Sequence, residues 1–104
     1  MALFRLSQRA EADLLGIGAY TLENWGEDQT VRYLEAIEDC CRTLANNPGL
    51  GRNCDDVRRG LRRIESGKHV VFYRADEGGI PVSRILHQRM LPERHAMDDD
   101  DVEA

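Results

Sequence analysis

From Ser7 onward, Ala10, Leu14, Ile17, Thr21 and Trp25 recur at spacings of four, three, four and four, which marks one face of a helix. Ser7 suits the N-cap, although Ala10 three positions on does not complete a capping box. Gly16 and Gly18 lie inside this stretch. Each costs a helix about 0.5–1 kcal/mol relative to alanine, so a second helix is expected to approach closely there. Trp25 is expected to anchor the end of the helix, and Gly26 to close it with a left-handed residue.

The second apolar stripe is clearer. Val31, Leu34, Ile37, Cys41, Leu44 and Ala45 share one face, and Arg32, Glu35, Glu38, Asp39 and Arg42 fall on the other. Asn46-Asn47-Pro48-Gly49 ends it. With Gly26–Asp28 as the connection, the two stretches predict an antiparallel helical hairpin. Beyond a polar loop from Gly49 to Asp56 the period changes. Leu61 to Glu65, His69 to Ala75 and Ile80 to His87 read as strands, separated by Ser66-Gly67 and by Asp76-Glu77-Gly78-Gly79. The last strand carries apolar residues on both faces, which predicts one face under the helices and another partly covered. Ala2–Leu6 is expected to add a strand at a sheet edge. A helical hairpin followed by an antiparallel meander makes the fold α+β.

Length and composition narrow the picture. At 104 residues with 41% hydrophobic content, the chain predicts one domain over residues 1–97 with a modest core. No apolar run approaches the roughly 20 residues of a membrane-spanning helix. No signal peptide is legible at the start, so a cytoplasmic location is expected. Cys40, Cys41 and Cys54 have no CxxC spacing and read as core-filling thiols, with no disulfide or zinc site expected.

The formal charge of −5 has a local origin. Asp98, Asp99, Asp100, Asp101 and Glu103 supply five negative charges, and the remainder of the chain is neutral. Residues 98–104 are expected to be a solvated acidic tail. Within the neutral body, residues 1–51 carry −4 and residues 52–97 carry +4. Such a split bears on partners rather than on fold.

The motifs of hydrolases and transferases are missing: there is no GxSxG, no phosphate-cradling glycine loop and no HExxH. His69, His87 and His95 lack the spacing of metal ligands on one element. The concentrated feature is basic: Arg58, Arg59, Arg62, Arg63, Lys68 and Arg74, followed by Arg84, Arg89 and Arg94. Three readings fit it: a solvated face, a site for acidic protein segments, or a phosphate-contacting surface. Arg62 and Arg63 must face opposite sides of their strand, so a given contact takes at most one of them.

The ordered set of residues resembles the ParE-type toxins of bacterial toxin–antitoxin systems, within the RelE/ParE superfamily. The first half carries Leu6-Ser7, Ala10, Asp13-Leu14, Ile17, Tyr20-Thr21, Trp25-Gly26, Gln29 and Tyr33. The second carries Leu44-Ala45, Asn47-Pro48-Gly49-Leu50-Gly51-Arg52, Gly60-Leu61-Arg62-Arg63, Gly67, His69-Val70-Val71-Phe72-Tyr73-Arg74 and Arg84-Ile85-Leu86-His87-Gln88-Arg89-Met90. Leu91 and the acidic tail depart from the pattern.

The resemblance implies a helical hairpin against a twisted antiparallel sheet. It also implies a protein-binding toxin, without cofactor or metal, that poisons DNA gyrase and meets DNA only through its partners. A ParD-type antitoxin would neutralise it in a hetero-oligomer by wrapping an acidic, amphipathic segment around it. Arg84, His87, Arg89 and Met90 match the strand region tied to toxicity. Arg58, Arg59, Arg62, Arg63 and Arg74 are the candidates for antitoxin binding. Two other functions stay open: a RelE-like messenger-RNA endonuclease using His87 or Tyr73 as acid or base, and an inactive module that only binds antitoxin.

Overall fold

The computed structural model describes residues 3–76, 79–90 and 92–97. Leu91 and the expected acidic tail lie outside them. The chain runs β1 (Phe4–Leu6), α1 (Gln8–Trp25), α2 (Glu27–Asn46), a 3-10 turn (Pro48–Leu50), β2 (Arg52–Asn53), β3 (Leu61–Ser66), β4 (His69–Arg74), β5 (Ile80–His87) and a second 3-10 turn (Pro92–Arg94). The five strands form one sheet in the order β1-β5-β4-β3-β2, with β1 parallel to β5 and the other pairs antiparallel. The expected α+β fold is the one observed, with β1 at an edge.

Strand register decides which side chains meet the helices. Ile64 pairs with Val71 and Val71 with Ile85, so these three share a face. That face packs with Ile17, Ile37, Cys41 and Leu44 of the hairpin into the main core. Fully burying each aliphatic side chain of this size contributes roughly 1.5–3 kcal/mol. The opposite face is covered as well. Leu61, Val70, Phe72 and Leu86 pack there beneath Cys54 and Met97. Both faces of β4 and β5 are therefore apolar because both are buried.

The hairpin connection is shorter than expected. Gly26 alone joins the helices, since Glu27 and Asp28 form the first turn of α2. Their carboxylates suit the positive end of that helix. Gly26 adopts φ 88°, donates its N–H to Leu22 and accepts the Thr30 N–H through its carbonyl. A residue with Cβ would be strained at that φ. Gly18 makes the anticipated close approach, with Leu34 Cδ1 3.4 Å from the position of an added Cβ, but Gly16 faces open space. Trp25 is not a buried anchor: it is 69% exposed. The α1 stripe leaves the core one turn before its end, because Thr21 is its last buried residue.

Strand β2 falls inside the stretch expected to be loop. Its two residues pair with Arg63 and Arg62, which is too short a run to show alternation. What holds this loop is Tyr73, fully buried on β4. Its hydroxyl donates to the Pro48 carbonyl at 2.7 Å and accepts the Gly51 N–H at 2.8 Å. Gly51 must be glycine, since a Cβ there would lie 2.5 Å from that hydroxyl oxygen. Tyr73→Phe leaves both backbone groups without their partner. It should cost about 1–3 kcal/mol, read as a lower urea midpoint at unchanged m-value; an unchanged midpoint would show that water replaces the hydroxyl.

Candidate functional site

The residues expected to act at the C-terminal end of the sheet divide into two kinds. Arg84 is a brace. Its Nε and Nη2 each lie 2.8 Å from a carboxylate oxygen of Asp13, and Nη1 donates to the Ala96 carbonyl at 2.9 Å. Asp13 Oδ2 also accepts the Ile85 N–H at 2.9 Å. The side chains of this pair are 14% and 13% exposed. The Asp13 hydrogen bonds hold the guanidinium above its usual pKa against the cost of burial. Asp13 stood in the family pattern, but no role was assigned to it from sequence. Its signal was a carboxylate three residues after Ala10, on the flank of the buried stripe.

His87, Arg89 and Met90 occupy the end of β5 and the turn beyond it. Arg89 and Met90 are exposed, and His87 is half-buried. The turn is pinned by the Gln88 N–H on the Lys68 carbonyl, the Met90 N–H on the His87 carbonyl, and the Arg89 N–H on His87 Nδ1.

His87 also lines a cleft of about 460 Å³ between the helical hairpin and the β3–β4 turn, together with Tyr20, Trp25, Tyr33, Lys68 and His69. The Tyr33 hydroxyl sits 2.6 Å from His69 Nδ1 and accepts the Lys68 N–H at 3.0 Å. The His69 and His87 rings meet edge to face, with centroids 5.4 Å apart. Burial, and then the charge of His87, push the His69 pKa below its usual value of 6.5, while Asp13 opposes the shift. Of these residues, His87 was the one proposed from sequence as a functional contact; Trp25 was expected as a helix anchor and Lys68 as part of the basic cluster.

The five arginines expected to face an antitoxin do not share one surface. Arg62 pairs with Tyr73 and Arg63 with Phe72, so they sit on opposite faces as expected. Arg62 donates to the Gly51 and Gly49 carbonyls at 3.1 and 3.3 Å, tying down the loop before β2. Arg63 and Arg74 are on the face away from the hairpin, and Arg74 donates to the Arg59 carbonyl. Arg58 and Arg59 ride the exposed loop before β3. Asp55 shapes this loop by accepting the Gly60 N–H, a contact that lowers its pKa.

A second groove, of about 370 Å³, opens beside β1 and α2. Phe4, Leu6, Leu14 and Leu34 make its apolar wall, and Glu35 and Glu38 also line it. Cys41 is buried with its thiol pushed up to about 12, chiefly by desolvation. Cys40 and Cys54 are also raised by burial. These are thiols at neutral pH and weak nucleophiles. Among the described residues no group of His, Cys, Asp or Glu is arranged to hold a metal ion. No helix among them is long and apolar enough to cross a membrane.

A profile described as "ParE toxin of type II toxin-antitoxin system, parDE" matches residues 4–92. This chain belongs to that toxin family. It is 42% identical over 93 residues to Toxin ParE1 of Mycobacterium tuberculosis, covering 88% of this chain and 95% of the relative. Identity to Toxin ParE1 of Caulobacter vibrioides is 39%, over 91% and 98% of the two chains. A structure titled "Chromosomal ParDE TA system from P. aeruginosa" superposes with a TM-score of 0.71 at 21% identity, covering 84% of this chain and 96% of that one. That likeness speaks to the ParE fold alone.

The depressed His69 pKa makes a signed prediction for this ParE-family chain. A folded-state pKa below 6.5 means that the unfolded chain binds the proton more readily. The contribution is complete above about pH 6.5 and is lost as pH falls through the folded-state value. Thermal melts of the native chain and His69→Gln across this range should therefore converge as the solution is acidified. Parallel curves would mean that His69 titrates alike in both states.

Proposed function

We propose that this chain is a cytoplasmic toxin that inhibits DNA gyrase through protein contacts, and that a ParD-type antitoxin silences it in a hetero-oligomer. The relation to ParE toxins over residues 4–92 carries this reading. The positions of Tyr73 and Arg84 support contact over chemistry. The Tyr73 hydroxyl is buried and fully occupied. Arg84 is held by Asp13. A messenger-RNA endonuclease would need such groups free to move a proton and to stabilise phosphate charge.

On this reading Arg89 and Met90 contact gyrase from the exposed turn, with His87 beside them, and Arg84 sets where that turn stands. The acidic antitoxin segment draws on Arg58, Arg59, Arg63 and Arg74, where charge complementarity favours fast and specific capture. Arg62 contributes by shaping the loop. Apolar residues of the segment suit the groove at Phe4, Leu6 and Leu34. DNA is met only through gyrase or the antitoxin complex.

A supercoiling assay with the purified chain tests this function. Inhibition with trapped cleaved DNA, relieved by antitoxin, is expected. Full supercoiling at a large excess of the chain would contradict it; cut messenger RNA in a translation extract would then point to the endonuclease, and no effect in either assay to a binding-only module.

A further inference from the structure

We infer that the chain's own acidic segment, residues 98–104, folds back onto the arginines of the outer sheet face and occupies them as a built-in competitor for acidic partners. Met97 fixes where that segment starts. It is fully buried in the outer cluster with Cys54, Leu61, Val70, Phe72 and Leu86. One residue earlier, Arg84 of β5 holds the Ala96 carbonyl at 2.9 Å. The chain therefore passes from β5 onto a cluster that includes Leu61 of β3 and Cys54 beside β2. Asp98 continues directly from there. At 3.3–3.6 Å per residue, Asp98 to Asp101 reach at most roughly 14 Å from Met97.

Arginines surround that starting point. Val57 packs against the same cluster, and Arg58 and Arg59 follow it on the exposed loop. Arg63 is the cross-strand partner of Phe72, and Arg74 that of Leu61, so both share a face with cluster members. Neighbouring strands lie about 4.8 Å apart, which puts these side chains within reach of the first aspartates. Arg74 also donates to the Arg59 carbonyl, which draws those two together. The charges of Arg63 and Arg52 favour the Cys54 thiolate, although burial outweighs them, so positive potential extends to the cluster itself. Nearby carboxylates are engaged: Glu65 lies 3.6 Å from Arg52, and Asp55 accepts the Gly60 N–H and the Asn53 amide. Asp56 is the other carboxylate of that loop, against Arg58 and Arg59.

The segment brings five negative charges and, apart from Val102, no large apolar side chain, so charge is what it offers a surface. Each exposed ion pair is weak, but tethering makes the encounter intramolecular, at an effective concentration in the millimolar range. An acidic partner segment must displace this occupant, which sets a threshold that weakly charged segments fail to pass. That consequence rests on the antitoxin reading above; the contact of residues 98–104 with the arginines does not.

The test compares the full chain with a full-length variant whose tail is neutral: Asp98→Asn, Asp99→Asn, Asp100→Asn, Asp101→Asn and Glu103→Gln. At low salt the side-chain Nε–H signals of Arg58, Arg59, Arg63 and Arg74 should differ between the two, while those of the distant Arg42 and Arg89 coincide. In about 1 M salt, where the screening length is about 3 Å, the two sets should converge. Capped hexaglutamate is the probe for the surface itself. It should bind the native chain roughly three- to tenfold more weakly than the neutral-tail variant at low salt. Arg58→Gln with Arg59→Gln, on the exposed loop, should shrink that difference to about twofold or less. Unmoved arginine signals, or equal hexaglutamate affinity, overturn the proposal. Equal movement at Arg42 and Arg89 also overturns it, because the tail then acts only as a diffuse charge. So do differences that vanish on dilution, which would place the segment on a second copy of the chain. None of these results depends on gyrase or an antitoxin, so failure here leaves the supercoiling test untouched.

Discussion

Strand β1 ends at Leu6, opposite Val82, while β5 continues to His87. The outer edge of β5 is then left to the start of α1. Ser7 takes the Val82 and Ser83 carbonyls with its N–H and hydroxyl, and Asp13 takes the Ile85 N–H. An edge strand with unmet backbone groups is a point of misassembly, and here a helix replaces the missing neighbour. Arg84 makes the arrangement mutual, since its guanidinium neutralises the carboxylate and also holds the Ala96 carbonyl. The Asp13–Arg84 pair, beside the Ser7 contacts, thereby ties helix α1 and strand β5 to the segment ahead of Met97. Because the pair is largely shielded, removing one partner leaves a charge that water cannot fully solvate.

The surfaces of interest depend on that junction. Met97 closes the second core on the outer face of the sheet, beneath the loop that carries Arg58 and Arg59. The turn with Arg89 and Met90 follows directly from the end of β5. The cleft between the hairpin and the β3–β4 turn is lined by α1 and α2 residues on one side and by His69 and His87 on the other. The same sheet thus carries an arginine-rich side and, on the hairpin side, an aromatic cleft floored by two imidazoles.

How much of this was legible in the sequence follows from period and reach. The two helices and three long strands carry clear apolar periods and appeared at nearly their observed bounds. The expected hairpin and meander gave the α+β class, and the family resemblance agreed with it. Strand β2 has only two residues and depends on Tyr73 reaching the neighbouring loop, so no local pattern announces it. Trp25 was expected in the core because it continues the spacing of α1. The stripe leaves the core at Thr21, since the sheet beneath ends before the helix does. Arg84 was read as a surface group because its partner lies 71 residues away, and through-space pairing leaves no trace in spacing. The Tyr33–His69–His87 cluster is assembled from three elements; all three residues belong to the family pattern, but their convergence leaves no mark in the spacing.

The Asp13–Arg84 junction acts as a unit, and a double-mutant cycle on urea stability tests this directly. Asp13→Ala alone should cost about 3 kcal/mol, because Arg84 and the Ile85 N–H both lose their acceptor. Adding Arg84→Ala should cost much less than its own single effect, giving a coupling energy of about 1–3 kcal/mol. Additive losses, with coupling near zero, would mean that the pair behaves like an exposed surface contact and does not fix β5 to the hairpin.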